Sequence, residues 1–329
     1  MAYQLDNKMV IGVSSRALFD LTLENKIFEA QGVEAYCNYQ IEHETEVLKP
    51  GPGFELIRSL LELNRYSEEE LVEVIIMSHN SPDTSLRVFN SIRHYGLDIT
   101  RAVLVSGASL APYLTAFHTD LFLSANQADV QCAIDSGIAA GIICTENLPA
   151  GKYIQISSVG QIQDAGGLSI SPIRIAFDGD AVLFTDESER IYQEKGLSAF
   201  EENEEKNARN PLEEGPFANF LKKLSQIQKR LGDKGSLIRT ALVTSRCAPA
   251  HERVIRTLRT WNVKVDEVFF LGGVEKKDVL KAFGAQIFFD DQQIHTISAS
   301  KEVPAALVPY CRNRKRVSLP NEIPTYRTG

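Results

Sequence analysis

The sequence predicts an α/β protein in which helices cover a mostly parallel sheet. Short apolar runs alternate with amphipathic stretches along most of the 329 residues, and this alternation is typical of repeated β-α-β units. The alternation is interrupted between Thr145 and Pro172, where Gly, Ser, Pro and Gln replace most large apolar residues. We therefore expect two halves, residues 1–170 and 171–329, with a linker ending the first.

The predicted elements follow the same order in both halves. Apolar runs predict strands at 9–13, 72–77, 102–105 and 121–123 in the first half, and at 174–177, 238–243, 268–271 and 286–289 in the second. Amphipathic stretches predict helices at 54–63, 86–94, 217–226 and 252–259.

The two halves can be aligned with each other. Residues 72–126 match 238–292 at a constant offset of 166 without a gap, which pairs Arg87 with Arg253. Upstream of this segment the offset is 164. Matched glycine, arginine and aromatic positions favour internal duplication over a chance similarity of apolar spacing. Differences between the copies should then indicate which half carries the function.

Composition excludes several classes of partner and compartment. The formal net charge of -8 argues against a nucleic-acid or anionic membrane surface, so an anionic substrate would need local cations, a metal or helix N-termini. The five cysteines are scattered, which suits a reducing compartment better than a disulfide framework. There is no apolar segment long enough to span a bilayer, and no secretory signal pattern. We expect a soluble, cytoplasmic protein.

Two carboxylates, Asp178 and Asp180, flank Gly179 where an apolar run ends. Acids at the end of a buried strand must be paired, hydrated or bound to a cation, and the carboxyl ends of parallel strands are where ligands bind. The same tripeptide is also an ordinary solvated turn. Taken alone, it supports both interpretations about equally.

Polar residues follow other predicted strands of the second half as well. They are Thr244, Ser245 and Arg246 after the second strand, Lys276 and Lys277 at a predicted helix start, and Asp290 and Asp291 after the last strand. Each has a plain alternative as a helix cap, a turn or solvated surface. The two lysines, however, oppose the helix dipole, which a nearby phosphate would explain. All these groups can meet at one edge of the sheet.

Their chemistry fits phosphoryl transfer. Mg²⁺ prefers hard oxygen ligands, which Asp178, the main-chain oxygen of Asp180 and either Asp290 or Asp291 would supply. Asp178 could attack phosphorus, and Asp180 could protonate the leaving oxygen and later activate water. Thr244 would bind phosphoryl oxygens and Lys276 would balance charge. The two residues after Thr244, Ser245 and Arg246, are further candidate substrate contacts.

This order of motifs resembles the four motifs of the haloacid dehalogenase superfamily of phosphohydrolases. More narrowly, residues 177–184, 186–190 and 287–292 resemble the cytosolic 5'-nucleotidase I family. The likeness extends into the first half through 17–20, 32–34, 51–52 and 137–140. It implies a Rossmann-like sheet of haloacid dehalogenase type and Mg²⁺-dependent hydrolysis of nucleoside 5'-monophosphates, typically AMP. It also implies that Asp178 is the nucleophile, Asp180 the acid and base, Thr244 the phosphoryl contact and Lys276 the charge stabiliser.

Two flanking segments complete this interpretation. Residues 186–236 should form a small helical cap above the site, and residues 312–329 read as a basic tail. Within the cap, Phe200, Phe217 and Phe220 suit core packing better than stacking on a nucleobase. The acidic run Glu201, Glu202, Glu204 and Glu205 is expected on a solvated face.

The first half has lost the proposed chemistry. The positions of Asp178, Asp180, Lys276, Asp290 and Asp291 correspond to Ser14, Arg16, Leu110, Ser124 and Ala125. We expect a structural partner that completes the core or a dimer face, and the alternative is a regulatory nucleotide site lined by Arg16, Ser78, His79, Asn80 and Ser124. For the whole chain, the alternatives are a nucleotide-binding regulatory protein without turnover and a phosphatase for another small phosphate ester.

Overall fold

A computed structural model describes residues 4–5, 7–145, 162–163, 169–170 and 172–310. Its central feature is one ten-stranded sheet with the order β10-β9-β8-β11-β12-β5-β4-β1-β2-β3. The strands of the first half are β1 (Met9–Val13), β2 (Val72–Ser78), β3 (Arg101–Leu104), β4 (Leu121–Ser124) and β5 (Ala139–Ile143). The strands of the second half are β8 (Ile173–Phe177), β9 (Ile238–Thr244), β10 (Glu267–Phe270), β11 (Ile287–Asp290) and β12 (Ala305–Leu307).

The sheet is mostly parallel, which confirms the predicted fold class. Within this sheet β12 pairs antiparallel with β5, while its other paired strands run parallel. The strands of the two halves therefore run in opposite directions. Two further short strands, β6 (Ile162–Gln163) and β7 (Ser169–Ile170), form an antiparallel pair.

Helices connect the strands. In the first half they are α1 (Ser15–Leu18), α2 (Thr22–Glu42), α3 (Phe54–Glu62), α4 (Leu86–His94), α5 (Ala111–Ala116) and α6 (Gln127–Asp135). In the second half they are α7 (Glu187–Lys206), α8 (Ala218–Arg230), α9 (His251–Thr260), α10 (Lys276–Phe283) and α11 (Gln293–Ala299). Single 3-10 turns cover Leu63–Tyr66, Asp83–Ser85 and Gly232–Leu237.

The predicted strands and helices are present, with most boundaries shifted by one or two residues. Sequence patterns did not indicate β5, β12 or the long helix α2, whose apolar residues lie on several sides. Most of the predicted linker between Thr145 and Pro172, and the predicted tail at 312–329, lie outside the described residues.

The core of the second half explains where its phenylalanines lie. Phe217 and Phe220 are buried and pack with Phe177 and Phe289, at ring-centroid distances of 4.5 to 6.3 Å. Each such ring contributes about 1.5–3 kcal/mol by leaving water. The prediction of core burial is confirmed for these two residues. Within the segment predicted as a cap, α8 therefore packs into the core, and α7 lies against the candidate site.

The arrangement of β1–β5 recurs in β8–β12. From the outer edge inward, both have the strand order third, second, first, fourth, fifth. The long helices α2 and α7 are both interrupted at a glycine, Gly32 (φ 85°, ψ -175°) and Gly196 (φ 81°, ψ -178°), which lie 164 positions apart. This region of φ/ψ space is open essentially to glycine alone. A glycine at matched sequence positions therefore accounts for the kink in each helix.

Candidate active site

Four residues of the second half converge at the carboxyl ends of three adjacent strands. Asp178 directly follows β8, Thr244 ends β9 and Asp290 ends β11. Because β8 pairs with both β9 and β11, these strand ends are neighbours. Lys276 is the first residue of α10. The predicted convergence at this edge of the sheet is thus observed.

Lys276 lies between two aspartates. Its Nζ donates to Oδ1 of Asp178 at 2.8 Å and to Oδ2 of Asp290 at 2.7 Å, and all three side chains are buried. Burial opposes the charged form of Lys276, but the two carboxylates outweigh it and raise its pKa. The neighbouring Lys277 is part-exposed and pairs with Glu275. The helix dipole opposes a positive charge at this helix start, and the two aspartates account for the presence of Lys276 there.

Three carboxylates crowd around this lysine. Oxygens of Asp178, Asp290 and Asp291 all lie within 4.8 Å of one another. Burial, then the neighbouring carboxylates, raise the pKa of Asp291 to about 8. Burial also raises the pKa of Asp178 to about 7, against the attraction of Lys276. Asp290 differs, because hydrogen bonds from His295 and Lys276 overcome burial and lower its pKa.

Asp180 lies beside this cluster, but its side chain is turned towards Arg246. Arg246 Nε donates to Oδ2 of Asp180 at 2.8 Å, and Nη2 donates to Oδ1 at 2.6 Å. This is the paired geometry that guanidinium groups form with carboxylates. The side chain of Asp180 is not part of the three-carboxylate cluster found among the described residues. Its proposed contribution to a metal would come from its main chain.

Arg246 is also held from its other side. Its Nη1 donates to Oε2 of Glu204 at 2.6 Å, and the side chains of Arg246 and Glu204 are 2% and 0% exposed. The other oxygen of Glu204 accepts from Arg253 Nη1 and Ser188 Oγ, each at 2.9 Å. The expectation that Glu204 belongs to a solvated acidic face is therefore wrong, although Glu202 and Glu205 are exposed.

A cavity of about 440 Å³ opens above these groups. Asp178, Thr244 and Lys276 lie in its lining, as do the predicted contacts Ser245 and Arg246. Its less polar side is formed by α7, through Tyr192, Leu197 and Phe200. Phe200 packs edge-on against Tyr192 at 6.4 Å, and the Arg246 guanidinium lies 5.3 Å from its ring centroid. Phe200 thus lines the cavity instead of joining the core.

Sequence patterns missed two residues that contact the site. His295 Nδ1 lies 3.2 Å from Oδ2 of Asp290, although no histidine spacing had suggested a role. Glu204 was hidden within an acidic run. Their first-half counterparts, Asp129 and Gln40, also make polar contacts, with His79 and Tyr36, but these contacts are visible only in the structure.

At the matched edge of the first half, the positions of Asp178, Asp180 and Asp290 are held by Ser14, Arg16 and Ser124. Ser15 Oγ and Ser78 Oγ are 3.2 Å apart, and Tyr36 donates to Asn80 at 3.0 Å. His79 lies 2.7 Å from Asp129. Burial lowers the pKa of Arg16, which stands at the position of Asp180. The first half therefore lacks the carboxylate pair.

None of the helices in the described part of the chain combines the length and apolarity needed to cross a bilayer. The chain is 35% identical over 306 residues to human cytosolic 5'-nucleotidase 1B, which covers 90% of this chain and 48% of the human protein. It thus spans about half the length of that relative.

Among solved structures, a chain titled "Structure of Pnkp1/Rnl/Hen1 complex" covers 92% of this chain and 96% of its own length at 11% identity. Its TM-score of 0.28 is too low to define a shared fold. The 5'-nucleotidase family model, in contrast, matches residues 1–315. With that match and the human relative, the chain belongs to the 5'-nucleotidase family.

Proposed function

We propose that the chain hydrolyses nucleoside 5'-monophosphates, with AMP as the preferred substrate, to nucleoside and phosphate. Family membership supports the reaction class. The observation that carries the proposal is the buried group of Asp178, Lys276 and Asp290 beneath a cavity of about 440 Å³. A carboxylate, a lysine and a metal-ligating carboxylate at one point are the parts that phosphoryl transfer requires.

The residues present fit a divalent cation of the hard type. The clustered oxygens of Asp178, Asp290 and Asp291 share the positive charge of Lys276, and burial together with the neighbouring carboxylates raises the pKa of Asp178 and Asp291. Mg²⁺ is the ion we propose, held by Asp178, the main-chain oxygen of Asp180 and Asp290 or Asp291. Bound there, it would neutralise phosphoryl oxygens and so permit a carboxylate to approach a phosphate dianion.

In the proposed reaction Asp178 attacks phosphorus and forms an aspartyl-phosphate, while the bond to the 5'-oxygen breaks. Asp180 gives that oxygen a proton and later takes one from the water that hydrolyses the intermediate. Thr244 and Ser245 contact the phosphoryl oxygens. Lys276 balances the charge on the transferring group. Arg246 was also predicted as a substrate contact. In the structure its guanidinium donates hydrogen bonds to Asp180 and Glu204.

The remaining expectations belong to the same proposal. We propose a fold of haloacid dehalogenase type that arose by duplication, with a degenerate half at 1–170, a catalytic half at 171–329 and a cap within 186–236. The matched strand orders and kinked helices support this. The name of the human relative supports a cytoplasmic site of action. A homo-oligomer and a regulatory nucleotide at the first half stay predictions.

Phosphate release from AMP with Mg²⁺ tests the proposal, with wild type compared with Asp178→Asn. Removal of an attacking group should lower kcat by roughly 10³-fold or more. The matched control is Ser14→Ala, the corresponding position of the first half, which should leave kcat unchanged. Chelation of Mg²⁺ should abolish phosphate release by both the wild type and Ser14→Ala.

Other outcomes identify the alternatives. Binding of nucleotides without phosphate release from any member of a nucleotide panel would indicate a regulatory protein. Release from another small phosphate ester in preference to every nucleotide would keep the mechanism and change the substrate. Equal activity of wild type and Asp178→Asn would remove Asp178 as the nucleophile.

A further inference from the structure

We propose that Glu204 and Arg246 are positioning residues that hold the carboxylate of Asp180 in the orientation needed for proton transfer. The proposal rests on the proposed function, since it assigns a task to residues around the acid and base of that reaction. Its basis is a chain of contacts that runs from α7 through Arg246 to Asp180.

The contact between Arg246 and Asp180 fixes an otherwise rotatable carboxylate. Asp180 lies in the turn after β8, and its side chain is 16% exposed. Both of its oxygens accept hydrogen bonds from Arg246, at 2.8 Å and 2.6 Å. Two parallel hydrogen bonds set the plane of the carboxylate as well as its distance. Each oxygen keeps a second lone pair that can take up or release the transferred proton, and small displacements of that site are costly in rate.

Glu204 fixes Arg246 in turn. A guanidinium group held along one edge could still tilt, but Nη1 is bound to Glu204 at 2.6 Å. Glu204 itself is fully buried and accepts from Arg253 and Ser188, each at 2.9 Å. The side chains of Arg246 and Glu204 are therefore each held by several hydrogen bonds.

The first half shows which part of this network serves packing. Arg87 corresponds to Arg253, and it binds a buried carboxylate from its own kinked helix, with Nη1 2.7 Å from Oε1 of Glu24. Both arginines also donate through Nε to a backbone oxygen, of Glu46 and Asn210 respectively. Arg87 Nη1 also donates to Oε1 of Gln40 at 3.4 Å, so the contacts of this arginine with the kinked helix serve docking in both halves.

The other part of the network is confined to the second half. Glu204 corresponds to Gln40, Arg246 to Asn80 and Asp180 to Arg16. In the first half, Gln40 donates to Tyr36 and Tyr36 donates to Asn80, each at 3.0 Å. A neutral link therefore fills the same place where no acid has to be held. Glu204 and Arg246, which we call the charged arm, occur in the half that contains Asp180. Neutral residues take their place in the other half.

Stability alone does not explain this arm. Burial of an additional charged pair costs desolvation energy that its attraction often fails to recover. Arg246 and Glu204 are nevertheless buried together, with side chains 2% and 0% exposed. Orientation of a reacting group is a function that can offset such a cost.

The arm also connects Asp180 to the wall of the cavity. Glu204 lies on α7, the helix that contributes Tyr192, Leu197 and Phe200 to the lining. The Phe200 ring packs against the same guanidinium, 5.3 Å away. The helix that lines the substrate cavity thus also sets the orientation of the acid.

The test compares Glu204→Gln with Glu24→Gln in the full-length chain with Mg²⁺ and AMP. Both variants remove a buried carboxylate from an arginine, but Glu24 has no link to Asp180. We expect Glu204→Gln to lower kcat by about 10–100-fold, part of what an acid and base group contributes, with KM within about 3-fold. Glu24→Gln should keep kcat at the wild-type value. Unfolding in urea would verify that both variants are folded under assay conditions.

Two further variants separate positioning from charge and from packing. Arg246→Lys retains the charge but cannot bind both carboxylates in the same plane, so we expect kcat to fall as in Glu204→Gln. In an Asp180→Asn background, Glu204→Gln should cause little further loss, because the two changes remove one function.

The outcomes distinguish this proposal from the proposed function. An unchanged kcat in Glu204→Gln, an equal loss in Glu24→Gln, or full activity of Arg246→Lys would overturn the positioning role while nucleotide hydrolysis stands. Additive losses with Asp180→Asn would do the same. A wild-type chain that releases phosphate from no nucleotide would refute the proposed function, and the positioning role with it.

Discussion

The two halves of the sheet have the same scaffold and different strand ends. In the second half, strand ends and the helix start after β10 present Asp178, Thr244, Lys276 and Asp290. In the first half the matched positions are Ser14, Ser78, Leu110 and Ser124, and Leu110 is buried as an ordinary core residue. The comparison indicates that a few side chains at one edge would carry the proposed chemistry, while the strands that present them have the same order in both halves.

Polar contacts away from the strand ends agree between the halves. Ser91 and Thr257, 166 positions apart, each accept from a backbone N–H, of Leu48 and Leu212 respectively, at 2.9 Å. Backbone amides at the starts of β1 and β8 are likewise bound by the side chains of Asp120 and Gln286. These matched contacts serve the fold. Contacts present in one half alone are the candidates for function.

After Asp178→Asn, the largest expected effect concerns Lys276 and Leu110, matched positions at which one half has a charge and the other a core side chain. Lys276→Met should lower kcat by roughly 10²–10³-fold, because the charge opposite the transferring group is lost. Leu110→Ala should leave kcat unchanged and cost about 2–5 kcal/mol of unfolding free energy through a core cavity. Steady-state kinetics and urea unfolding of both variants measure this contrast. Loss of activity in Leu110→Ala at a temperature where it is folded would break the comparison.

The glycine kinks should affect stability in both halves and activity in one. Gly32→Ala and Gly196→Ala should each cost about 1–3 kcal/mol, because a Cβ disfavours their backbone conformation. A Cβ at either position meets no atom within 4 Å, so the penalty is conformational. Gly196→Ala should also raise KM for AMP, since Tyr192 and Leu197 of α7 line the cavity. A KM that changes equally in both variants would argue against α7 as the substrate-facing helix.

Asp291 should make the metal-free protein sensitive to pH. Its pKa is raised from the ordinary 3.8 to about 8 in the folded state, so its contribution to stability is complete below about pH 4 and is lost progressively as the pH rises to about 8. In chelator at pH 8.5, Asp291→Asn should therefore be more stable than wild type, by about 1 kcal/mol or more. Ala125→Asn, at the matched position of the first half, should show no such pH-dependent gain. Urea unfolding between pH 5 and 8.5 measures both.

The smallest effect concerns a charge pair that is reversed between the halves. Arg101 pairs with Glu73 in the first half, and Arg239 with Glu267 in the second, each at 2.6 Å. The double change Arg239→Glu with Glu267→Arg gives the second half the order of the first. It should alter unfolding free energy by less than about 1 kcal/mol and leave kcat unchanged. A larger loss would show that the direction of this pair is fixed by its surroundings.

The sequence predicted eight of the ten strands of the central sheet and the polar residues that follow them, because the burial of a strand is visible as a local apolar pattern. It did not reveal that Arg246 is shared by Asp180 and Glu204. That contact depends on how α7 folds back over the strand ends after its kink at Gly196. An acidic run in a helix is normally solvated, and only the position of Arg253 and Arg246 shows why Glu204 is buried. His295 was missed for a similar reason, since its partner Asp290 lies on another element.

The antiparallel pairing of β5 with β12 has a consequence for how the chain can be divided. It closes one edge of each five-stranded half, so the joined sheet ends at β3 and β10. Gly141 permits this approach, because a Cβ there would lie 2.9 Å from Cβ of Ala306. Either half produced alone would expose a strand edge with unpaired amide and carbonyl groups, which readily recruits another copy. Protection of these strand edges is therefore a reason, besides the proposed catalysis, for the two halves to be joined in one sheet.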